Sequence, residues 1–362
     1  MATAYQRTLI SDEGLTPTSW AGLNFPFGDR GPQPGELLTV MDGIRWWRVP
    51  MSGPLKHVNG LILDDGADLL AIDTGTAGPR STEAWKTVID GPLAGQRIGR
   101  ILCTHMHPDH VGLAGWLSRR FDDADIVMTR TEWLMVRLFS ADSRPEVPEE
   151  QLAFWRGCGW DAEQVSRGAG RGWSNFGKMI ARMPLMYTRI QDGDVLRIGG
   201  SDWHVITGSG HSPEHACLVD YERRVLVAGD QVLPKISSNI SMHVSQINED
   251  PLGDWLASIE KFKQLPEDLL VLPGHGDPFY GLHTRLDALR DEHLDRLDAI
   301  VALMADGPVR ATDCFKVLFR RPIGPDVIGM ATGESLAHLR RLVVEGRAVR
   351  EVKDGVWWYG RV

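Results

Sequence analysis

Short apolar runs separated by turn residues recur along most of the chain, and several of them end at glycine, aspartate or histidine. Runs with helical spacing lie between them, for example at 82–89, 111–121 and 254–263. Strands mixed with helices in this way predict an α/β protein of the α+β type. The predicted strands lie at 37–40, 44–49, 58–63, 69–72, 98–103, 126–129, 195–198, 203–207, 217–220, 225–228 and 269–272.

The same pattern changes along the chain and predicts its domain organisation. Residues 1–35 are rich in glycine and proline and predict an N-terminal arm. Residues 36–282 contain the strands and predict the main domain, with a helical insertion at about 130–190. Residues 283–362 begin with a long charged linker helix and end with a hairpin signal at Lys353-Asp354-Gly355, which is typical of a winged-helix module.

Composition and charge narrow the classes of function. The chain has 362 residues and a net charge of -9, which argues against nucleic acid or an anionic membrane as a partner. Its four cysteines are scattered, so we expect a reducing compartment and a cytoplasmic protein. The first residues do not resemble a signal peptide, and no apolar run is long enough to span a membrane. A small molecule is the expected partner.

One stretch concentrates the candidate chemistry. His105, His107, Asp109 and His110 fall within six positions, directly after a predicted buried strand. His105 and His107 are two residues apart, so their side chains point the same way in an extended segment. The backbone must turn at Pro108, which can aim Asp109 and His110 at a neighbouring point. Imidazole and carboxylate suit divalent metals, so the stretch can serve two adjacent ions.

Further ligand-type residues follow other predicted strands. His211, Asp230 and His275 each come just after an apolar run and beside glycine, and Asp73 ends another such run. Loops at one edge of a packed sheet system can converge on one place, and such loops carry function. Glycine lets the backbone approach closely. The sequence therefore predicts that these loops meet the 105–110 stretch.

Together, these motifs resemble those of the metallo-β-lactamase-fold hydrolases. The 104–110 stretch is similar to their H-x-H-x-D-H signature, and the similarity extends over about 37–280. The resemblance implies an αββα sandwich with metals at one edge of its two sheets, and the C-terminal region resembles the winged-helix domain of some members. The later motifs match in order: Asp73-Thr74-Gly75, Gly210-His211-Ser212, Gly229-Asp230 and Gly274-His275-Gly276.

The resemblance also implies a role for each candidate residue. Asp73 is expected to orient a ligand histidine through the free ring nitrogen of that histidine. His215 competes with His275 for the last ligand position, and the Pro-Gly-His-Gly context favours His275. The implied ligands of the first metal are His105, His107 and His211, those of the second are Asp109, His110 and His275, and Asp230 bridges the two.

The implied reaction is hydrolysis of an acyl bond in a thioester, ester or lactone. Two divalent ions, with zinc preferred and iron or manganese as alternatives, share a hydroxide that attacks the carbonyl. Asp109 is the implied catalytic residue, since it can orient the hydroxide and pass a proton to the leaving group. A metal-dependent oxidoreductase on the same fold, a β-lactamase and a phosphodiester hydrolase remain alternatives.

The stretch 164–190 has an unusual composition for an acidic protein. It contains five basic residues and no acidic one, among tryptophan, phenylalanine and methionine side chains. We predict that it forms part of a lid that contacts an anionic or acyl-CoA-like substrate. A helical hairpin with solvated arginines is the alternative. The predicted substrate-binding residues are Arg167, Arg171, Trp173, Arg182 and Arg189.

The C-terminal module leaves two interpretations open. It has a modest basic face, and winged helices can read DNA. The acidic net charge favours contacts between two copies of the chain instead, so a homodimer is an option and nucleic acid is not the expected partner. The basic residues are Arg340, Arg341, Arg347, Arg350 and Lys353.

Overall fold

The computed structural model describes residues 16–28, 30–53 and 55–362. Residues 1–15 of the predicted arm therefore lie outside the described residues. The remainder of that arm contains a hairpin of β1 (Thr18–Trp20) and β2 (Leu23–Phe25). Within the described ranges, no helix combines the length and hydropathy that a membrane crossing requires.

The first sheet has seven strands in chain order. Its first four strands are antiparallel, and a tight turn joins the last two of them at Gly66, where φ is 71°. From β6 onward the strands are parallel and need crossovers, which α1 (Pro79–Asp90) and then α2 (Pro108–Val111) with α3 (Ala114–Arg120) supply. The strands are β3 (Leu38–Met41), β4 (Ile44–Pro50), β5 (His57–Asp65), β6 (Asp68–Ile72), β7 (Ile98–Leu102), β8 (Asp125–Thr129) and β9 (Thr188–Ile190).

Between β8 and β9 lies the segment for which a helical insertion was predicted. It contains α4 (Arg130–Ala141), α5 (Glu149–Gly157), α6 (Ala162–Ala169) and a short 3-10 helix at Asn175–Met179. The start of α6 has a capping box, in which the Asp161 carboxylate accepts from the backbone of Gln164 and the Gln164 amide accepts in return. This local sequence signal defines where α6 begins.

The second sheet has five strands, also in chain order. It is antiparallel up to its fourth strand, and the last pair is parallel because α7 (Pro251–Phe262) crosses between them. An aspartate at 250 caps α7 by accepting from the Gly253 backbone N–H. The strands are β10 (Val195–Ile198), β11 (Ser201–Gly208), β12 (His215–Asp220), β13 (Val225–Gly229) and β14 (Leu270–Pro273).

Successive side chains of β4 point to opposite faces of the first sheet, and this alternation shows how the layers stack. Trp46 points into the core between the two sheets, where it joins Trp203 and Leu218 of the second sheet. Its neighbour Trp47 points outward and packs against Trp85 of α1, with ring centroids 4.5 Å apart. Other helices cover the outer face of the second sheet. The order helix, sheet, sheet, helix confirms the predicted αββα sandwich.

The C-terminal part contains the predicted sequence of helices and a final hairpin. Asp354 and Gly355 have φ values of 52° and 76°, as expected for its tight turn. The apolar cluster under these helices also contains Val271, so the core continues across residue 282. The predicted domain boundaries and the winged-helix class stay predictions. The elements are α8 (Leu282–Leu303), α9 (Phe315–Leu318), α10 (Ile328–Val344), β15 (Ala348–Lys353) and β16 (Val356–Arg361).

Candidate metal centre

The ligand-type residues predicted from sequence lie at one edge of the two sheets. Each follows the carboxyl end of a strand, so the strand order decides which side chains meet. Close backbone approach is needed there, because a Cβ on Gly274 would lie 2.2 Å from Asp230 Oδ1. His105 and His107 follow β7, Asp109 and His110 lie in α2, and His211, Asp230 and His275 follow β11, β13 and β14.

Three ring nitrogens form the first ligand group. His107 Nδ1 lies 3.0 Å from both His105 Nε2 and His211 Nε2. Burial, helped by His211, lowers the pKa of His107 to about 3, although Asp109 and Asp230 act in the opposite direction. Burial also lowers the pKa of His105 well below its usual value. Neutral imidazoles offer lone pairs, so the group is suited to one metal ion.

A carboxylate and two histidines form the second ligand group. His275 Nε2 lies 3.3 Å from Asp109 Oδ2, and His110 Nε2 lies 3.8 Å from the same oxygen. Burial alone would raise the pKa of Asp109, but the neighbouring His110 and His275 lower it to about 2. Asp109 is therefore ionised at neutral pH and can serve as a metal ligand.

Asp230 lies between the two groups. Its Oδ1 is 3.4 Å from His110 Nε2, and its Oδ2 is 3.5 Å from His211 Nε2 and 3.6 Å from His275 Nε2. Burial would raise the pKa of Asp230, but His275 and His110 hold it well below its ordinary value. An ionised carboxylate in this position can reach an ion in either group.

Backbone and carboxylate oxygens fix the rings of the ligand histidines. An oxygen that can only accept requires Nδ1 to carry a proton, so that in the neutral ring the Nε2 lone pair faces the centre. Three of the rings show this arrangement. The pairs are His110 Nδ1 with Asp73 Oδ2 at 2.7 Å, His211 Nδ1 with the Asn239 carbonyl at 2.8 Å, and His275 Nδ1 with the His57 carbonyl at 2.9 Å.

Asp73 acts on both groups. Besides His110, it accepts from the backbone N–H of Thr104 at 2.9 Å and from the Thr104 hydroxyl. That hydroxyl lies 3.0 Å from His105 Nδ1, so it can accept from the His105 ring while donating to Asp73. Asp73 has φ of 56°, which is uncommon for a residue with a side chain and costs about 1–3 kcal/mol. Asp73 thus contacts a ring nitrogen of one candidate ligand, and its orienting role stays a prediction.

His215 has a different environment from His275. Its Nε2 accepts from the Asp230 backbone N–H at 3.0 Å, and its Nδ1 lies 3.6 Å from Cys217 Sγ. The ring stacks on His105 with centroids 4.6 Å apart, and burial lowers its pKa well below the usual value. Both nitrogens of His215 are engaged, whereas His275 faces the second ligand group.

Sequence reasoning missed Glu132, a buried carboxylate at the start of α4. It accepts from the Met106 backbone N–H through Oε2 and from the Glu214 backbone N–H through Oε1, both at 2.8 Å. Burial raises the pKa of Glu132. Glu132 ties the 105–110 stretch to the loop after β11. A glutamate in the first turn of a helix normally faces solvent, so the sequence carried no signal for this role.

Buried atoms without partners test whether this centre fits metal ions. His110 Nε2, His275 Nε2 and Asp230 Oδ1 are buried and have no hydrogen-bond partner among the described residues. Each such atom costs about 1–3 kcal/mol when it is left unsatisfied. A cation coordinated by them would remove that cost, so the residues fit divalent metal ions. Nitrogen and oxygen ligands accept zinc, iron and manganese.

A cleft of about 180 Å³ opens beside His211. Met106 and Met242 form apolar parts of its wall, and Glu249 and Asp254 add carboxylates. The described residues that line it include no lysine or arginine. The cleft gives a small molecule access to the first ligand group, and its charged wall groups are acidic.

Two of the predicted substrate-binding residues, one in α6 and one just after it, lie at another place. Arg167 pairs with Glu163, one turn earlier in the helix, and Arg171 pairs with Asp326 at 2.9 Å. Both arginines border a separate cavity of about 100 Å³ against the loop that contains Pro325. These guanidinium groups are half exposed, so each pair contributes little stability, about 0–1 kcal/mol.

The other three predicted substrate-binding residues are also outside the cleft. Trp173 Nε1 donates to Asp142 Oδ2 at 2.6 Å. Arg182 is exposed and borders a third cavity together with Arg119, and Arg189 is exposed on β9. Of the residues that the structure describes around the cleft beside His211, none belongs to the predicted set. The structure does not bring that set together with the metal ligands, and its role in substrate binding stays a prediction.

Comparison with known families identifies the class of this protein. The model of the Metallo-beta-lactamase superfamily matches residues 53–275, and the model of the Metallo-beta-lactamase-like, C-terminal domain matches residues 297–362. The first match covers more than half of the chain. The chain therefore belongs to the metallo-β-lactamase superfamily, whose members are mostly hydrolases.

Two solved structures are similar over nearly the whole chain. A beta-lactamase domain protein from Burkholderia ambifaria is 34% identical, with a TM-score of 0.86, and the match covers 94% of this chain and 98% of that chain. A metallo-beta-lactamase family protein from Thermus thermophilus is 28% identical, with a TM-score of 0.75, over 90% of this chain and all of that chain. Both agree with the αββα sandwich.

Two curated relatives have names that specify a reaction. An atrochrysone carboxyl ACP thioesterase from Aspergillus fumigatus is 24% identical over 250 residues, which is 68% of this chain. The match spans less than half of that relative, 44% of its length. A hydroxyacylglutathione hydrolase from Haemophilus influenzae is 25% identical over 182 residues, 49% of this chain and 68% of the relative.

Proposed function

We propose that the protein is a dinuclear metal-dependent hydrolase that cleaves an acyl bond, with thioesters ahead of esters and lactones. The observation that carries this proposal is the pair of ligand groups with Asp230 between them. Buried nitrogens of His110 and His275 have no hydrogen-bond partner among the described residues. The names of the two curated relatives, a thioesterase and a hydroxyacylglutathione hydrolase, support the choice of acyl chemistry. Zinc is the proposed metal.

The side chains of the centre have different roles in the proposed reaction. Two bound divalent ions would provide a nucleophilic water with a pKa near neutrality and polarise the acyl carbonyl. Asp109 is ionised and one fifth of its side chain is exposed, so it can accept a proton from the attacking water and return it to the leaving group. Asp73 and Thr104 keep the rings of His110 and His105 in place during this exchange.

The cleft beside His211 is the proposed entrance for the acyl group. Met106 and Met242 provide adaptable apolar contacts for the non-reacting part of the substrate. Glu249 and Asp254 disfavour a negative group in the same place. The anionic part of an acyl-CoA-like substrate would therefore have to lie outside this cleft.

A substrate panel tests the proposed function. Zinc-loaded protein is assayed on a thioester, an ester, a lactone, a β-lactam and a phosphodiester, each with and without a chelator. The matched variant Asp109→Asn keeps the size of the side chain and removes the proton acceptor. We expect chelator-sensitive hydrolysis of the thioester that Asp109→Asn slows at least about a hundredfold, since general acid–base groups contribute about that much or more.

Three outcomes would reject the proposal. Hydrolysis that a chelator does not affect would show that the reaction does not depend on a metal. A clear preference for the phosphodiester or the β-lactam would show that the protein cleaves a different kind of bond. Consumption of oxygen or of an electron acceptor without hydrolysis would assign the chain to the oxidoreductases instead.

A further inference from the structure

The segment 238–242 lies between β13 and α7 and touches two candidate metal ligands. The Ser238 hydroxyl donates to the backbone carbonyl of Asp230. The Asn239 carbonyl accepts from His211 Nδ1 at 2.8 Å. A displacement of this segment would therefore move one ligand of the first group and the carboxylate between the groups. The contacts that hold this segment in place therefore affect the geometry of the metal centre.

Helix α10 of the C-terminal part supports this segment from behind. Asn239 Nδ2 donates to Glu334 Oε2 at 2.9 Å, and the Met242 backbone N–H donates to the Gly333 carbonyl at 3.0 Å. The Ser241 hydroxyl in turn donates to Asn239 Oδ1. A Cβ on Gly333 would lie 2.8 Å from Ser241 Oγ, so the absence of a side chain there allows the close approach.

Glu334 is anchored on its other side by α8. Its Oε1 accepts from Arg296 Nη1 at 3.0 Å, and Arg296 also binds Glu292 Oε1 at 2.7 Å. Only 6% of Glu334 is exposed. A buried carboxylate is costly unless its oxygens have partners, and here one oxygen is bound to Arg296 and the other to Asn239. Packing alone does not require a charged group at this position.

From this chain of contacts we infer that Glu334 is a positioning residue for the metal centre. It holds the Asn239 side chain, so that the Asn239 carbonyl keeps the proton of His211 on Nδ1 and directs Nε2 toward His105 and His107. The inference rests on the proposed function, because it acts on the same metal centre. It gives the C-terminal helices a part in metal binding, beyond covering the second sheet.

A double-mutant cycle on metal affinity tests this inference. Zinc is titrated into metal-free wild type, Glu334→Ala, Asn239→Ala and the double variant, in competition with a chromophoric chelator. Each single change should weaken one zinc site by about 10–100-fold, which is the usual effect of losing a partner behind a ligand histidine. The double variant should be no weaker than the single variants, because both changes break the same chain of contacts.

Two further variants separate positioning from folding. Glu334→Gln keeps an acceptor for Asn239 and should recover most of the zinc affinity. Glu345→Ala removes another carboxylate near the end of α10, which pairs with Arg341 and Arg347 and does not contact 238–242, so it should leave both sites unchanged. Thermal unfolding in chelator identifies any variant that fails to fold, in which case Glu334→Gln and Asn239→Ala carry the test.

The possible outcomes are distinguishable. Unchanged zinc affinity in Glu334→Ala and Asn239→Ala, or effects that simply add in the double variant, would overturn the inference. An equal loss in Glu345→Ala would also overturn it, because general weakening of the C-terminal part would then be the cause. If wild type itself binds no zinc, the proposed function fails. If wild type binds two ions and Glu334→Ala matches it, only this inference fails.

Discussion

The ligand edge of the sheets and the stretch 164–190 are both rich in polar side chains, but those side chains have different partners. At the ligand edge, nitrogens of His110 and His275 and an oxygen of Asp230 are buried and have no hydrogen-bond partner within the described part of the chain. In the basic stretch, Arg167 and Arg171 are half exposed and paired with nearby carboxylates. The two regions therefore differ in whether their polar atoms have hydrogen-bond or ion-pair partners among the described residues.

This difference indicates which region is built for a ligand. An exposed ion pair contributes about 0–1 kcal/mol and is compatible with a solvated surface. A buried unsatisfied polar atom costs about 1–3 kcal/mol, so several of them in one place require another explanation. A bound cation provides it at the ligand edge. Variants in the two regions should therefore have effects of very different size.

The largest effect is expected from Asp230→Ala. Loss of this carboxylate removes the negative charge between the two groups, so two cations would repel each other without compensation. We expect kcat/KM on the best acyl substrate to fall about a thousandfold, which is about 4 kcal/mol, and metal content to fall as well. The control is Asp202→Ala, an exposed carboxylate on β11 paired with Arg197. Near-normal turnover with full metal content in Asp230→Ala would contradict the bridging role.

A smaller effect is expected from Asp73→Asn. The Asp73 carboxylate accepts from His110 Nδ1 and from two donors of Thr104, whereas an amide has one accepting oxygen for the same donors. Zinc affinity should fall about 10–100-fold as the His110 ring loses its orientation. Competition titration with a chelator measures it. Unchanged affinity would show that His110 is held by packing alone.

His215→Ala should keep both metals and lose stability. Its Nε2 accepts from the Asp230 backbone N–H, and removal leaves that buried donor unsatisfied, at a cost of about 1–3 kcal/mol. Denaturant unfolding in chelator measures this loss, and elemental analysis measures the metal content. If His215→Ala lost one equivalent of metal while His275→Ala did not, the last ligand position would belong to His215.

The smallest effects are expected in the basic stretch. Arg171→Ala should change KM by less than about twofold on an anionic acyl substrate and on its neutral analogue, because the guanidinium is exposed and already paired with Asp326. The same comparison applies to Arg167, Arg182 and Arg189. A rise in KM of tenfold or more, about 1.4 kcal/mol, for the anionic substrate alone would support the lid prediction instead.

The sequence was informative where ligand-type residues are tied to strand ends. His211, Asp230 and His275 each follow a strand, and the strand order then determines where they meet. The αββα layers were implied by the family resemblance. The side chains around Trp46 and Trp47, which are buried on both faces of their strand, agree with a layer on each side of the sheet. The composition of a stretch such as 164–190 does not determine where its side chains lie in the fold.

The supports behind the ligands were not predictable from the sequence. The carbonyls of His57 and Asn239 hold ligand histidines, but every residue has a carbonyl, so no residue type marks this role. Glu132 and Glu334 lie in helices, where a glutamate normally faces solvent, and their burial depends on how distant elements pack. These contacts arise from tertiary structure, which local patterns do not encode.

Metal stoichiometry tests whether the seven ligand-type residues hold two metal ions around Asp230. Wild type, Asp230→Ala and Asp202→Ala are stripped with chelator, reconstituted with zinc, freed of excess metal and measured by elemental analysis. We expect about two equivalents of bound zinc per chain for wild type and Asp202→Ala, and a clear loss of zinc for Asp230→Ala. A firm value of one equivalent in wild type, unchanged by further zinc, would contradict it.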